Sequence, residues 1–454
     1  MQYTPLEDIP KVCQQSLRDG FRSGKTKAVA FRKEQLKQMG YMVQENKDAF
    51  LETLKSDLGR PYLESEVFEL IPAINDIRTI HDNLHKWAKT ESAPFQFAAA
   101  SMHPKIRKEP KGTVLIIVPF NAPVFLGLTP LMAAVAAGNT AVIKPSENAP
   151  ATNTLLAKLI PKYLDPDVVQ VVLGAAEETT KLLELQWDHS GHKVGRIVAA
   201  AAAKHLTPHT LEVTRRGVGK SPIIIDPKSD IRLAARRTWW GKLVNAGQIC
   251  ITPDYVLVPR EVQDMFIKEI KLAHAEFFPE GPKKSDSFGR IVTLHHTQRI
   301  AGLLKETKGD VIIGGEVDID KRYIAPTLVN NASPDEPLMK EEIFGPVLPV
   351  IPVKDVDEAI AFVNARDHPL ALYVFSQDAK VKAKIADNTQ SGAYAVNEPV
   401  SHVATYGLPF GGTGPSGSGQ LRGKYGFDTF THLRGSVDQP GWYEYLNSDW
   451  ESDD

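Results

Sequence analysis

Apolar residues in the first ninety positions recur mostly every three or four residues, with Val67, Leu70, Ile71, Ile74, Ile77, Leu84 and Trp87 as the clearest series. That spacing predicts amphipathic helix up to about Trp87, with a kink at Pro72, which has no N–H to donate. After a polar bridge the texture changes to short apolar runs separated by helical stretches. Strands are expected at Thr113–Val118, Thr140–Ile143 and Val168–Val172, with helices through Thr129–Ala137 and Thr154–Leu164 between them. A second alternation starts at Pro222–Asp226. It continues through Tyr255–Val258, Asp310–Ile313, Pro326–Val329 and Val347–Ile351, with helices at Arg260–Phe277 and Asp355–Arg366. Strand and helix alternating in this way predict an α/β fold, with parallel sheets covered by helices on both faces and ligands held at the carboxyl ends of the strands.

A chain of 454 residues exceeds one compact core, so several lobes are expected. With 24% charged residues and a net charge of −2, neither a nucleic-acid groove nor an anionic membrane surface is indicated, and the expected ligand is small. No run of about 18 apolar residues occurs, and the first residues lack the basic-then-apolar pattern of a signal segment. Two cysteines, Cys13 and Cys250, cannot build a disulfide framework, so a reducing, cytoplasmic setting is expected.

Cys250 ends the glycine-containing turn Asn245-Ala246-Gly247-Gln248-Ile249-Cys250, with Glu212 upstream. A thiol and a carboxylate suit a nucleophile and a water-activating base, provided the thiolate is accessible. Taken alone, a single cysteine is more often a small buried hydrophobe. Further motifs accompany it in order: Pro119-Phe120-Asn121-Ala122-Pro123, Ile143-Lys144-Pro145-Ser146-Glu147, Ala203-Lys204-His205-Leu206-Thr207-Pro208, Glu341-Glu342-Ile343-Phe344-Gly345-Pro346-Val347 and Leu408-Pro409-Phe410-Gly411-Gly412. Together they resemble the aldehyde dehydrogenase superfamily, closest to its class 3 and fatty-aldehyde branch, from about Gln35 to about Arg434.

The resemblance implies a Rossmann-type cofactor domain, an α/β catalytic domain and a small oligomerisation element. The corresponding division is 1–90 and 109–212 for the cofactor domain, 91–108 for a bridging segment, 213–406 for the thiol domain, and 407–454 for a return to the cofactor domain. It implies oxidation of an aldehyde to the acid through a covalent adduct on Cys250, with Asn121 donating to the oxyanion and Glu212 as general base. NAD is the implied cofactor, with NADP possible. Lys144 and Glu147 match residues that reach the adenine ribose, and Glu342 and Phe344 match those at the nicotinamide ribose and ring. No metal is expected. Gly411 and Gly412 shape a turn and are not expected to bind directly.

The chain departs from the family pattern in two places. The stretch Trp187-Asp188-His189-Ser190-Gly191-His192-Lys193-Val194-Gly195 is several residues short of the usual strand and turn, leaving Ser190, Gly191 and Gly195 to form the pyrophosphate turn at a helix start. After Glu212, the stretch Val213-Thr214-Arg215-Arg216-Gly217-Val218-Gly219 is several residues long, and Arg215 and Arg216 should bulge into solvent or cleft. Two alternatives therefore stay open here: a folded relative with an impaired cofactor site, and a cofactor-independent esterase using Cys250.

The class 3 resemblance implies medium- or long-chain aliphatic or aromatic aldehydes, with apocarotenoid aldehydes for a secondary-metabolite pathway. Trp239, Trp240, Tyr255, Tyr394 and Tyr406 are candidate apolar walls, although core packing is the commoner role of such residues. Segments near Gln96–Ile106 and Tyr425–Leu433 match the family's dimerising extensions, so a homodimer is expected.

Overall fold

A computed structural model describes residues 2–192, 209–211 and 220–441. Two parallel sheets organise it. In the first, five strands lie in the order Val169–Val171, Thr140–Lys144, Thr113–Ile117, His189–His192, His209–Leu211, all parallel. Every residue of the strands Thr113–Ile117 and Thr140–Lys144 is buried, as a sheet covered on both faces requires. Their alternation feeds two cores. Val114, Ile116, Ala141 and Ile143 face a large one built with the helices Val29–Glu45, Ile71–Trp87, Phe125–Ala137 and Pro150–Tyr163. Leu115, Ile117 and Val142 face a smaller one with Ile9, Cys13, Leu17, Leu182 and Trp187.

The chain leaves Thr113–Ile117 toward one edge and then crosses to fill the other side, so the strand order reverses beside it. Crevices at such reversals, outside the carboxyl ends, are where open α/β sheets bind ligands. Asn121 follows one of these ends and Lys144 closes the next.

The second sheet has seven strands, ordered Asp310–Ile313, Thr327–Asn330, Val347–Val353, Tyr255–Pro259, Pro222–Ile225, Ala371–Phe375, Ala393–Val396. All pair in parallel except the edge strand Asp310–Ile313. The thiol turn lies between the helix Ile231–Leu243 and the central strand Tyr255–Pro259. A third, antiparallel sheet joins Glu91–Ser92, Lys105–Pro110 and Thr431–Ser436, which brings distant parts of the chain together.

One expectation is met in a specific form and one needs correction. At Pro72 the helix is distorted, not abolished: a π-helical turn, Glu66–Leu70, runs directly into the helix Ile71–Trp87, with Leu70 and Ile71 both helical, and takes up the irregularity that the missing N–H requires. The shortened segment after Trp187 still supplies a strand, and Ser190 and Gly191 lie inside it, opposite Leu115 and Ile116 on one side and His209 and Thr210 on the other. Their main chain is committed to ladders on both sides, so neither sits in a helix-opening turn with free N–H groups. Gly195, Glu212, Arg215 and Arg216 lie outside the described residues.

Candidate active site

The helix Ile231–Leu243 ends against a turn in which Asn245, Ala246 and Gly247 all have positive φ, at 53°, 51° and 75°. Two consecutive non-glycine residues in the left-handed region cost energy, and side-chain bonds hold them there. Asn245 donates from Nδ2 to the carbonyls of Asn121 at 3.0 Å and Gln248 at 3.1 Å, accepts from Arg60 Nε at 2.9 Å, and gives its backbone N–H to Glu64 at 2.7 Å. Gln248 donates to Asn245 O and Arg290 O. Cys250 follows at 9% exposure. Its carbonyl accepts from Ser221 Oγ at 3.2 Å and that of Ile251 accepts from Tyr373 Oη at 2.7 Å, so the main chain on either side of the thiol is pinned.

Asn121 is fully buried and is brought to this turn by Arg60. The guanidinium donates to Asn121 O, to Asn245 Oδ1 and to Glu69, whose other oxygen accepts the backbone N–H groups of Val124 at 2.7 Å and Phe125 at 3.0 Å. Glu69 thus caps the opening of the helix Phe125–Ala137 while pairing with a buried cation, the arrangement in which a buried charge is tolerated. Burial pushes the Glu64 carboxyl up to about 7, against the pull of Arg60 and the N–H of Asn245. Cys13 shares none of this polar framework. Burial in the apolar layer raises its thiol to about 12, well away from a nucleophile's range.

The predicted cofactor residues form two groups. Lys144 Nζ donates to Glu147 Oε2 at 3.1 Å, the lysine side chain 3% exposed and the glutamate 41%. A buried ammonium presenting an accessible carboxylate at the carboxyl end of a parallel strand fits a ribose diol, which offers donors and acceptors together. The segment Glu341–Phe344 is braced by Arg299, which donates to Glu341 Oε1 at 2.9 Å and to the carbonyls of Glu342 and Ile343. Phe344, at φ 50°, meets Phe120 edge-on at 5.7 Å, and Phe120 also packs against His296 at 5.4 Å. One aromatic contact therefore links this segment to the residue preceding Asn121.

Cys250, Asn121, Glu342 and Phe344 thus belong to one connected framework, and Lys144 and Glu147 stand at the adjoining strand end. Sequence reasoning missed Arg60, Glu64, Glu69, His296 and Arg299; none lies in a local pattern that separates it from an ordinary surface residue. Gly411 and Gly412 sit in tight turns, where a Cβ would come within 2.3 Å of Gly419 O and 2.1 Å of Ser416 O. Among the candidate walls, Trp239 and Tyr255 are core, and Tyr394 ties its hydroxyl to Lys382 O. Trp240 and Tyr406 remain 38% and 48% exposed. No group of three or more metal-ligating side chains occurs among the described residues.

Comparison with known proteins points the same way. A model of the aldehyde dehydrogenase family matches residues 2–435. The chain is 43% identical over 424 residues to aldehyde dehydrogenase family 3 member A2 of Rattus norvegicus, covering 92% of this chain and 86% of that one. It is 40% identical over 421 residues to the 4,4'-diaponeurosporen-aldehyde dehydrogenase of Staphylococcus aureus, covering 92% and 91%. Among solved structures, a substrate-bound Staphylococcus aureus AldH superposes with a TM-score of 0.92 at 36% identity, over 99% of this chain and 100% of the other. A Mycobacterium tuberculosis aldehyde dehydrogenase complexed with NAD+ gives 0.84 at 26% identity, over 96% and 91%.

Proposed function

Because the chain belongs to the aldehyde dehydrogenase family, we propose that Cys250 carries out its oxidation of an aldehyde to a carboxylic acid, with NAD as the preferred cofactor and NADP possible. The Cys250 thiolate adds to the carbonyl carbon, forming a C–S bond and placing negative charge on the former carbonyl oxygen. The Asn121 amide donates to that oxygen as the charge develops. The bound nicotinamide supplies the hydride acceptor. A thioester on Cys250 remains, and Glu212, assigned from sequence alone, takes a proton from the water that cleaves it. Lys144 and Glu147 hold the adenine-side ribose, and Glu342 and Phe344 the nicotinamide side.

The observation that carries this reading is the 3.0 Å bond from Asn245 Nδ2 to Asn121 O, which ties the oxyanion donor's segment to the turn that presents the thiol. Incubation with a medium-chain aldehyde and with an activated ester, with and without NAD, tests it. Acid formation that requires NAD is expected; ester cleavage alone, or neither reaction, would count against it.

We assign the substrate to apolar aldehydes. Leu63, Val67 and Ile71, four residues apart and 74%, 45% and 43% exposed, form an apolar stripe on the helical stretch that also carries Glu64. Phe68 of the same stretch packs on Trp240, at 6.4 Å between ring centroids, three residues before the helix gives way to the thiol turn. The S. aureus relative named 4,4'-diaponeurosporen-aldehyde dehydrogenase supports this class.

We also propose a cytoplasmic homodimer built on the three-stranded sheet, where Leu433 is 56% exposed and the link between the strands Glu91–Ser92 and Lys105–Pro110 exposes Phe95 and Phe97 at 80% and 91%. No described helix is long and apolar enough to cross a membrane. A light-scattering mass near the 50.0 kDa of one chain would rule out the dimer.

A further inference from the structure

The helix Pro150–Tyr163 begins just past Glu147, and the residue at its N-cap is Ala149, whose side chain has no acceptor to offer. The first N–H groups of a helix need partners from outside it. Here they come from another helix. Asp57, 4% exposed near the end of the helix Lys47–Leu58, accepts on one carboxylate oxygen from Ala151 N at 3.0 Å. Its other oxygen accepts from Thr152 N at 2.9 Å and Thr152 Oγ at 2.8 Å. A carboxylate at this end is also favoured by the helix dipole.

The same first turn holds the loop before it. Asn153, fully buried, donates from Nδ2 to Ser146 O, the carbonyl that also accepts the N–H of Ala149 at 3.1 Å. Ser146 directly precedes Glu147, whose carboxylate meets Lys144 Nζ. Asp57 therefore anchors the helix start, and the helix start anchors the loop that presents Glu147.

The main chain of Asp57 is held from the opposite side. Arg322, on the hairpin joining Val317–Asp318 to Tyr323–Ile324, donates to Asp57 O and to Val292 O, each at 2.7 Å. The next carbonyl, Leu58 O, accepts the N–H of Arg290 at 2.8 Å. Gln248 of the thiol turn grips that same segment, donating to Arg290 O and accepting from Val292 N, both at 2.9 Å. One residue thus has its side chain fixed to the cofactor lobe and its main chain fixed to the lobe that carries Cys250.

We propose that Asp57 is a positioning residue for the adenine side of the cofactor: it holds the loop bearing Glu147 in place against the thiol lobe, and affinity for the adenosine half of NAD depends on it. The proposal rests on the reading of Glu147 given above.

The test compares Asp57→Ala, Asp57→Asn and Glu147→Gln. The probe is AMP, which carries the adenine ribose diol and no nicotinamide, with its Kd measured by calorimetry. The KM for NAD, kcat at saturating NAD and aldehyde, and the thermal midpoint are measured alongside. For Asp57→Ala the AMP Kd and the NAD KM should rise roughly five- to tenfold, the scale of a lost helix cap, while kcat changes much less. Asp57→Asn keeps an oxygen for Thr152 but sets an NH2 against the Ala151 N–H, so its AMP Kd should rise about threefold, on the scale of one hydrogen bond. A residue that served the fold alone would lower the midpoint without moving the AMP Kd of the folded protein. An AMP Kd within twofold of the parent in folded Asp57→Ala, or in Asp57→Asn if the alanine variant does not fold, while Glu147→Gln weakens binding, would overturn the proposal and leave the reading of Glu147 standing. If Glu147→Gln leaves the AMP Kd unchanged, that reading has failed and the proposal fails with it.

Discussion

A methyl group on Gly247 would stand 2.2 Å from the carbonyl oxygen of Gly345. The thiol turn and the segment carrying Glu342 and Phe344 therefore touch backbone to backbone, at a position whose φ of 75° also disfavours a side chain. Gly247→Ala should force the two apart. Strain and overpacking together cost on the order of 1–3 kcal/mol, and a misplacement of about 1 Å at reacting groups costs around a hundredfold in rate. The expected result is a fall in kcat/KM of that order with a lower thermal midpoint. Activity within twofold of the parent would mean that the contact has no part in the site.

The two cysteines should differ sharply toward alkylating agents. Cys13 is held protonated by its apolar layer, its thiol raised to about 12, whereas Cys250, also buried but 9% exposed, ends a turn braced by the side chains of Asn245 and Gln248. Peptide mapping after brief iodoacetamide treatment at neutral pH should find the label on Cys250, and Cys250→Ser should abolish both labelling and NAD-dependent acid formation. Preferential modification of Cys13 in the folded protein would undo the assignment.

The scaffold was far more legible in the sequence than the site. Runs such as Thr113–Ile117 and Thr140–Lys144 are apolar because both faces of the sheet are buried, and that pattern is local. The framework holding the thiol is not local: Arg60 reaches Asn245 and Asn121 across long stretches of chain, and Lys242 in a mixed helix reads as a solvated residue although its side chain is fully buried. Motifs carried by the family resemblance located Cys250, Asn121 and Phe344 but said nothing of what braces them. Ser190 and Gly191 misled for the opposite reason. Glycines spaced before a helical run suggest a turn, yet pairing with strands on both sides takes precedence over that local signal.

Stability should carry a signature of Glu64. Its carboxyl titrates at about 7 in the folded chain, above the ordinary 4.5, because burial penalises the charged form. The folded state therefore holds that proton more tightly than the unfolded one. The resulting stabilisation is complete below about pH 4.5 and is lost as pH rises through about 7. Glu64→Gln keeps an acceptor for the Asn245 N–H and cannot ionise, so its thermal midpoint should gain on the parent's between pH 4.5 and 7, and the gap should level off above that. A difference independent of pH would show that Glu64 titrates normally.

Arg60 tests whether the framework serves the chemistry or only the fold. Arg60→Met strands Glu69 as a buried carboxylate, which typically costs about 3–5 kcal/mol, and at the same time releases the Asn121 carbonyl and the Asn245 side chain. Adding Glu69→Gln removes the stranded charge and still offers an oxygen to the N–H groups of Val124 and Phe125, so the double variant should regain much of the lost stability. It cannot regain the hold on Asn121 and Asn245, so kcat with aldehyde should stay depressed by a factor of ten or more, on the scale of a partly misplaced oxyanion donor. Thermal melts and steady-state rates on the parent, both single variants and the double variant separate the two effects. Should rate and stability return together in the double variant, Arg60 would be a folding residue only, and the placement of Asn121 beside the thiol would have to come from the chain around it.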